Sequence, residues 1–194
     1  MAASGKIFVG FSDFTAFQMG LMAKTGAISY TGPMFYGDFG AEQAVDFTLG
    51  DFWRCLAGPA HRITQAAEGN PVLSTSGIAW GGNLAMLVSL LGTEYFPRIE
   101  GGILYVEDIN EHPYRVERML LQLHQAGVLA RQRALVLGDF SGYRLGPADN
   151  GYDFDAMLAY LRATLPIPVL RGLAFGHGPT RVTIPFGAAA TLVS

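Results

Sequence analysis

The sequence predicts an α/β protein, because short apolar strands alternate with helices through most of its 194 residues. Half of the residues are hydrophobic and only 15% are charged, which supports a well-buried core and argues against disorder. Glycine- and proline-rich turns separate the apolar segments. We therefore expect a buried, partly parallel sheet that is covered by helices.

The first 58 residues predict two strand–helix pairs. Strands are expected at residues 6–11 and 27–30, and helices at residues 14–24 and 41–56. Residues 58–76 are rich in turn formers, and we interpret them as a linker. The interpretation divides the chain into two domains, residues 1–58 and residues 59–194.

The chain after residue 76 continues the alternation. Asn83 and Asp153 fit helix N-caps, and Pro113 fits the first position of a helix. The helix from Pro113 has one predicted buried face, formed by Val116, Met119, Leu120 and Leu123. The predicted elements are a turn at 77–82, helices at 84–91, from 113 and at 154–165, strands at 103–106, 134–137 and 167–170, a loop at 172–178 and terminal strands within 181–193 that bend at Gly187.

Composition excludes several classes of function. The net charge is −3 and no block of adjacent basic residues exceeds two, so we expect no nucleic-acid partner. Cys55 is the only cysteine, which excludes a disulfide framework and fits a reducing compartment. The mean hydropathy is +0.27, but the longest apolar runs are too short to span a bilayer, and the first residues do not resemble a secretory signal. We therefore expect a cytoplasmic protein without a membrane partner.

Ser12 lies at the predicted turn between a buried strand and a helix. A serine at such a turn is exposed, and the helix N-terminus beside it favours negative charge, as a nucleophile requires. Gly10-Phe11-Ser12-Asp13 is half of the pattern G-x-S-x-G, since Phe14 replaces the second glycine. The same residues fit an ordinary helix start with Ser12 or Asp13 as the N-cap. The residues alone leave both interpretations open.

Two further positions can carry chemistry with Ser12. Glu107 and Asp108 end a predicted buried strand, where a carboxylate can orient a histidine and stabilise its imidazolium. His177 stands between two glycines, which lets its ring face a cleft. The alternatives are solvated acids at a strand end and a structural histidine in a loop.

Metal and substrate binding are the remaining possibilities. Glu107, Asp108, Glu111 and His112 could suggest a metal cluster, but no second histidine has ligand spacing, so we expect no metal. Trp80-Gly81-Gly82-Asn83 precedes a predicted helix N-terminus, which can bind a substrate carboxylate. A tight turn around a packed tryptophan is the alternative. Trp80 and Asn83 are therefore candidate substrate-binding residues.

Six motifs follow one another along nearly the whole chain. They are GFSDFTA at 10–16, GPM at 32–34, WGGNL at 80–84, LYVEDINEHPYR at 104–115, ERML at 117–120 and FGH at 175–177. Together they resemble the LD-carboxypeptidase family of muramoyltetrapeptide carboxypeptidases, which includes the microcin-immunity peptidases. Several motifs in one order are far more specific than any one of them.

The resemblance implies a serine peptidase that needs no cofactor. Matched residue by residue, it makes Ser12 the nucleophile, Glu107 the orienting acid and His177 the base, and the backbone N–H of Asp13 an oxyanion donor. The family removes the terminal D-alanine from murein tetrapeptides in cell-wall recycling, so a murein-derived peptide is the expected substrate. The alternatives are an immunity peptidase acting on a peptide–nucleotide antibiotic, and an inactive fragment that binds a peptide or a partner.

The resemblance also predicts what stands before Ser12 in the family. Family members have a glycine-rich turn there, which supplies a second oxyanion donor, whereas this sequence has only eleven residues before Ser12. We therefore expect the remnant of a layered α/β N-terminal domain followed by a mixed β/α C-terminal domain. The chain as written is expected to be a poor catalyst, and its open apolar surface predicts association, with a homodimer as the simplest form.

Overall fold

The segments from Ser74 onward build a five-stranded sheet in the computed structural model, which describes residues 2–194. Its strands are β3 (Ser74–Asn83), β4 (Gly102–Ile109), β5 (Gln132–Ser141), β6 (Val169–Arg171) and β8 (Ala189–Val193). The order across the sheet is β6-β5-β4-β3-β8, with β8 antiparallel to β3 and the other neighbours parallel. The predicted α/β class is therefore correct.

β4 lies in the middle of this sheet, between β3 and β5. Residues 102–108 of this strand are all buried, as expected for a parallel strand that is covered on both faces. Glu107 and Asp108 continue the strand instead of ending it. β3 pairs with this strand as far as Glu107 and β5 pairs with it as far as Ile109, so the carboxyl ends of all three parallel strands lie at one edge.

A second, smaller sheet is formed mainly by the first part of the chain. It contains β1 (Val9–Gly10), β2 (Ser29–Thr31) and β7 (Ile184–Phe186), in the order β1-β2-β7. β1 is parallel to β2, whereas β7 is antiparallel to it and comes from the end of the chain. β7 therefore ties the last residues to the first ones. The proposed domain boundary at residue 58 stays a prediction.

Within residues 2–194, five α-helices pack on the sheets. They are α1 (Phe14–Thr25), α2 (Asp46–Ala57), α3 (Leu84–Ser89), α4 (Pro113–Gln125) and α5 (Phe154–Thr164). α4 packs against α3 and α5, and its predicted face of Val116, Met119, Leu120 and Leu123 is buried. Asn83 and Asp153 accept hydrogen bonds from the third residue after each of them, so both predicted N-caps are confirmed.

The predicted turn at residues 77–82 is wrong, because these residues form the middle of β3. The glycines are needed there for close approach of two backbones rather than for a turn. A Cβ atom at Gly81 would lie 1.7 Å from the carbonyl oxygen of Tyr105 on β4. Glycine in a strand often marks such an approach.

Other boundaries differ for local reasons. The strand predicted at 6–11 is shorter, at Val9–Gly10, and within residues 2–194 it pairs with β2 alone. The helix predicted at 41–56 begins only at Asp46, whose carboxylate suits a helix N-terminus, and a single π-helical turn at Phe35–Phe39 precedes it. Of the predicted linker at residues 58–76, residues 58–73 contain neither helix nor strand, whereas residues 74–76 begin β3.

Candidate active site

Ser12 occupies a sharp turn between β1 and α1. Its φ angle is 58°, in the left-handed region that non-glycine residues seldom adopt. The amides of Phe14, Thr15 and Ala16 donate to the carbonyl oxygens three residues earlier, so the turn closes into the helix at once. The backbone amide of Asp13 lies one residue before the first of these three donors. Strained backbone of this kind clusters at functional sites.

Glu107 and His177 form a buried pair at the carboxyl edge of the large sheet. His177 Nδ1 lies 2.7 Å from Glu107 Oε2, and the Glu107 side chain is completely buried. The carboxylate accepts from Nδ1, which leaves the Nε2 atom of the ring for proton transfer. This is the relation between acid and histidine in a serine-hydrolase triad.

Asn83 holds the carboxylates in place. Its Nδ2 donates to Glu107 Oε1 at 3.2 Å and to Asp108 Oδ1 at 3.0 Å. Asp108 also accepts from the backbone amides of Ala85 and Ile109, so both buried acids have the partners that burial demands. Asn83 therefore contacts the Glu107–His177 pair directly.

Phe11 brings the Ser12 turn to the histidine. Its ring centroid lies 4.6 Å from that of His177, and Ser12 is the next residue in the chain. The hydrogen bonds of residues 2–194 do not include one between Ser12 and His177. Such bonds are often long in a free enzyme and tighten with substrate. The structure thus pairs Glu107 with His177 and packs Phe11 on that histidine, while the complete triad stays a prediction.

Arg181 was not singled out from the sequence, yet it lies against the site. Its guanidinium carbon stands 4.5 Å from the centre of the Phe11 ring, and its Nη1 donates to Asp38 Oδ2 at 2.6 Å. Both charged side chains of this pair are about nine-tenths buried. A sequence gives no local signal for a pair 143 residues apart. The contact becomes visible only when β7 joins the small sheet.

The two candidate substrate-binding residues have different surroundings. The Trp80 side chain is completely buried, and its Nε1 donates to Gln132 Oε1 at 2.9 Å. Of the two roles that its motif allowed, packing and substrate binding, Trp80 therefore has the first. No surface of its ring is exposed to a substrate. Asn83 is also buried, but it lies at the Glu107–His177 pair.

The residues considered for a metal cluster point to other partners. Glu111 lies 3.7 Å from Arg115, and His112 lies 3.3 Å from Asp149. Within residues 2–194, no three His, Cys, Asp or Glu side chains are grouped closely enough to hold a metal ion. A search of the same residues for a helix with the length and apolarity to cross a membrane finds none.

Comparison with known proteins defines the class. Residues 76–192 match the family model of the LD-carboxypeptidase C-terminal domain, and the chain belongs to the LD-carboxypeptidase family. The whole chain superposes on 66% of the muramoyltetrapeptide carboxypeptidase of Oxalobacter formigenes with a TM-score of 0.97 and 52% identity. This similarity confirms the family and the fold that the six motifs predicted.

Two curated relatives extend the comparison. The chain is 29% identical to the probable murein peptide carboxypeptidase of Bacillus subtilis, over 96% of its own length and 60% of the relative's. It is 28% identical to the microcin C7 self-immunity protein of Escherichia coli, over 95% of its length and 62% of the relative's. The chain therefore spans about 60% of the curated relatives that it matches.

Proposed function

We propose that this chain carries the catalytic residues of a serine LD-carboxypeptidase, which releases the terminal D-alanine from murein tetrapeptides in the cytoplasm. The observation that supports it most is the buried hydrogen bond between Glu107 and His177, beside the strained Ser12 turn. A half-buried serine at a turn that packs on an oriented imidazole suits nucleophilic attack on an amide.

The proposed reaction has two halves. The His177 Nε2 atom takes the proton from the Ser12 hydroxyl as its oxygen attacks the carbonyl carbon before D-alanine, and the Asp13 N–H binds the resulting oxyanion. The protonated imidazole then gives that proton to the leaving amine of D-alanine. Water releases the peptide from Ser12 by the same steps, and Glu107 holds the ring throughout.

A peptidase acting on a peptide–nucleotide antibiotic is the second candidate from the same family. The microcin C7 self-immunity protein shares 28% identity with the chain, against 52% for the muramoyltetrapeptide carboxypeptidase. The higher identity favours the murein substrate.

A homodimer also belongs to the proposal. Its basis is a group of exposed aromatic side chains at Phe35, Tyr36 and Trp53.

A panel of peptides tests the proposed substrate in the intact protein. We expect D-alanine release from the tetrapeptide L-Ala-γ-D-Glu-meso-diaminopimelate-D-Ala, and none from the analogue that ends in L-alanine. A chelator is expected to leave the rate unchanged. Cleavage of an aspartyl sulfamoyl adenosine without cleavage of the tetrapeptide would favour the immunity peptidase, and cleavage of neither would reject the proposal.

A further inference from the structure

The proposed active site is assembled from two separate parts of the fold. Ser12 lies between β1 and α1, at the small sheet, whereas Glu107 and His177 lie at the edge of the large sheet. A displacement of about 1 Å between reacting groups can lower a rate by about 100-fold. The contacts that join α1 to the large sheet therefore determine whether the site works.

Thr15 makes such a contact at the first turn of α1. It is completely buried, and its backbone N–H donates to the carbonyl oxygen of Ser12 at 2.9 Å. Its side-chain Oγ1 accepts a hydrogen bond from the backbone N–H of Asn83 at 3.0 Å. Asn83 in turn donates to Glu107. Three hydrogen bonds thus lead from the Ser12 turn to the glutamate.

The neighbouring strand is shaped to admit the Thr15 side chain. A Cβ atom at Gly82 would lie 2.4 Å from Thr15 Oγ1 and 3.0 Å from its methyl carbon. The first turn of α1 can therefore approach β3 this closely only because residue 82 has no side chain. Both α1, through Thr15, and β3, through Gly82, therefore contribute to this close approach.

Loss of the hydroxyl would act on Asn83 in a specific way. The Asn83 amide is buried, so without Thr15 Oγ1 it must move toward another acceptor or stay unpaired. Asn83 is also the N-cap of α3, and its side chain holds both buried acids. A shift of its backbone would move the group that positions Glu107 relative to Ser12.

We infer that Thr15 is a positioning residue, whose hydroxyl sets the Ser12 turn against Asn83 and through it against Glu107. The inference rests on the proposed function, because it concerns the geometry of the same three groups. Other polar contacts between the sheets, such as Thr31 with Tyr105 at 3.0 Å, involve residues outside the Ser12 turn. We expect these contacts to maintain the fold when the Thr15 contact is removed.

The test compares Thr15→Val, which has nearly the same shape without the hydroxyl, with Thr15→Ser, which keeps it. Thr25→Val is the matched control, because Thr25 Oγ1 accepts from the Ala27 amide at the other end of α1. Two rates are measured in the intact protein: D-alanine release, and labelling of Ser12 by a fluorophosphonate. The second rate reports the activation of Ser12 without the natural substrate.

Thr15→Val is expected to lower kcat and the labelling rate by roughly 10- to 100-fold, with KM changed less than about threefold. Thr15→Ser and Thr25→Val are expected to stay within about threefold of the unchanged protein. If Thr15→Val does not fold, Thr15→Ala carries the same expectation.

Three results would overturn the inference. One is a valine variant that melts at a lower temperature but keeps both rates per folded molecule, because Thr15 would then be structural only. Another is a serine variant as slow as the valine variant. The third is an unchanged protein in which Ser12 is not labelled. Labelling without D-alanine release would instead reject the proposed substrate and leave the positioning role supported.

Discussion

Ser12 has, at the scale of one residue, a backbone conformation that opposes stability. Its φ of 58° costs a side chain that carries a Cβ atom about 1 kcal/mol or more, whereas glycine adopts this conformation readily. The turn places the hydroxyl at the start of α1 in return. The conformation is therefore evidence that position 12 is selected for more than packing.

Substitution of Ser12 separates strain from chemistry. We predict that Ser12→Gly unfolds with a free energy roughly 1 kcal/mol higher than Ser12→Ala, since only glycine relieves the strain. Both variants lack the proposed nucleophile. Urea unfolding of the two variants measures the difference, and equal stabilities would mean that the turn is not strained.

Cys55 gives a prediction about pH. Burial, and after it the charge of Asp51, raises the pKa of the Cys55 thiol from 9.0 to about 11. The folded chain therefore keeps this proton at a pH where the unfolded chain loses it. The resulting stabilisation is complete below about pH 9 and is lost as the pH rises through 11.

We predict that the free energy of unfolding falls less steeply between pH 9 and 11 in Cys55→Ala than in the unchanged protein. Denaturant unfolding at several pH values measures both slopes, and the comparison removes the contribution of the buried Tyr105, whose pKa is also raised by burial. Identical slopes would contradict a buried, protonated thiol.

At the scale of elements, sequence patterns predicted helices better than strands. The i, i+3, i+4, i+7 pattern of α4 and the N-cap of α5 are local signals, and both are confirmed. Residues 77–82 of β3 have the sequence of a turn, because their glycines are explained only by β4, which pairs with this strand from 20 or more residues away. A close approach between strands leaves no local signal.

The cap of α5 can be tested by itself. Asp153 Oδ1 accepts from the Ala156 amide at 2.8 Å, so we predict that Asp153→Ala lowers the free energy of unfolding by about 1 kcal/mol. Asp155→Ala on the same turn is the control. Asp155 is exposed and forms a surface ion pair with Arg171, so its loss is expected to cost less than about 0.5 kcal/mol. Equal losses would show that the cap contributes nothing specific.

At the scale of the molecule, the site depends on contacts that no segment predicts. Ser12, Glu107 and His177 each fitted an ordinary structural role when considered alone, and the family resemblance united them. The structure adds the Glu107–His177 bond and the packing of Phe11 on the imidazole. It also adds Arg181 and Thr15, whose partners lie far away in the chain.

The size of the assembly is a prediction at this scale. Phe35 and Tyr36 are 87% and 90% exposed, and Trp53 is 59% exposed, which is unusual for large aromatic side chains. We predict that the 194-residue chain forms a homodimer of about twice its 20.8 kDa. Light scattering measures the mass, and Phe35→Glu together with Tyr36→Glu should yield monomers. Val72→Glu, at a position that is 96% exposed, is the control. A monomeric unchanged chain would contradict the prediction.

The central claim is that Ser12 is the nucleophile of an LD-carboxypeptidase. Its most direct test is the rate of D-alanine release from the murein tetrapeptide by the intact protein and by its Ser12→Ala variant, with circular dichroism to show that both are folded. Because the three groups of a triad act as one unit, we predict a loss on the order of 1,000-fold or more. Turnover by the folded alanine variant within a few-fold of the unchanged protein would contradict the account.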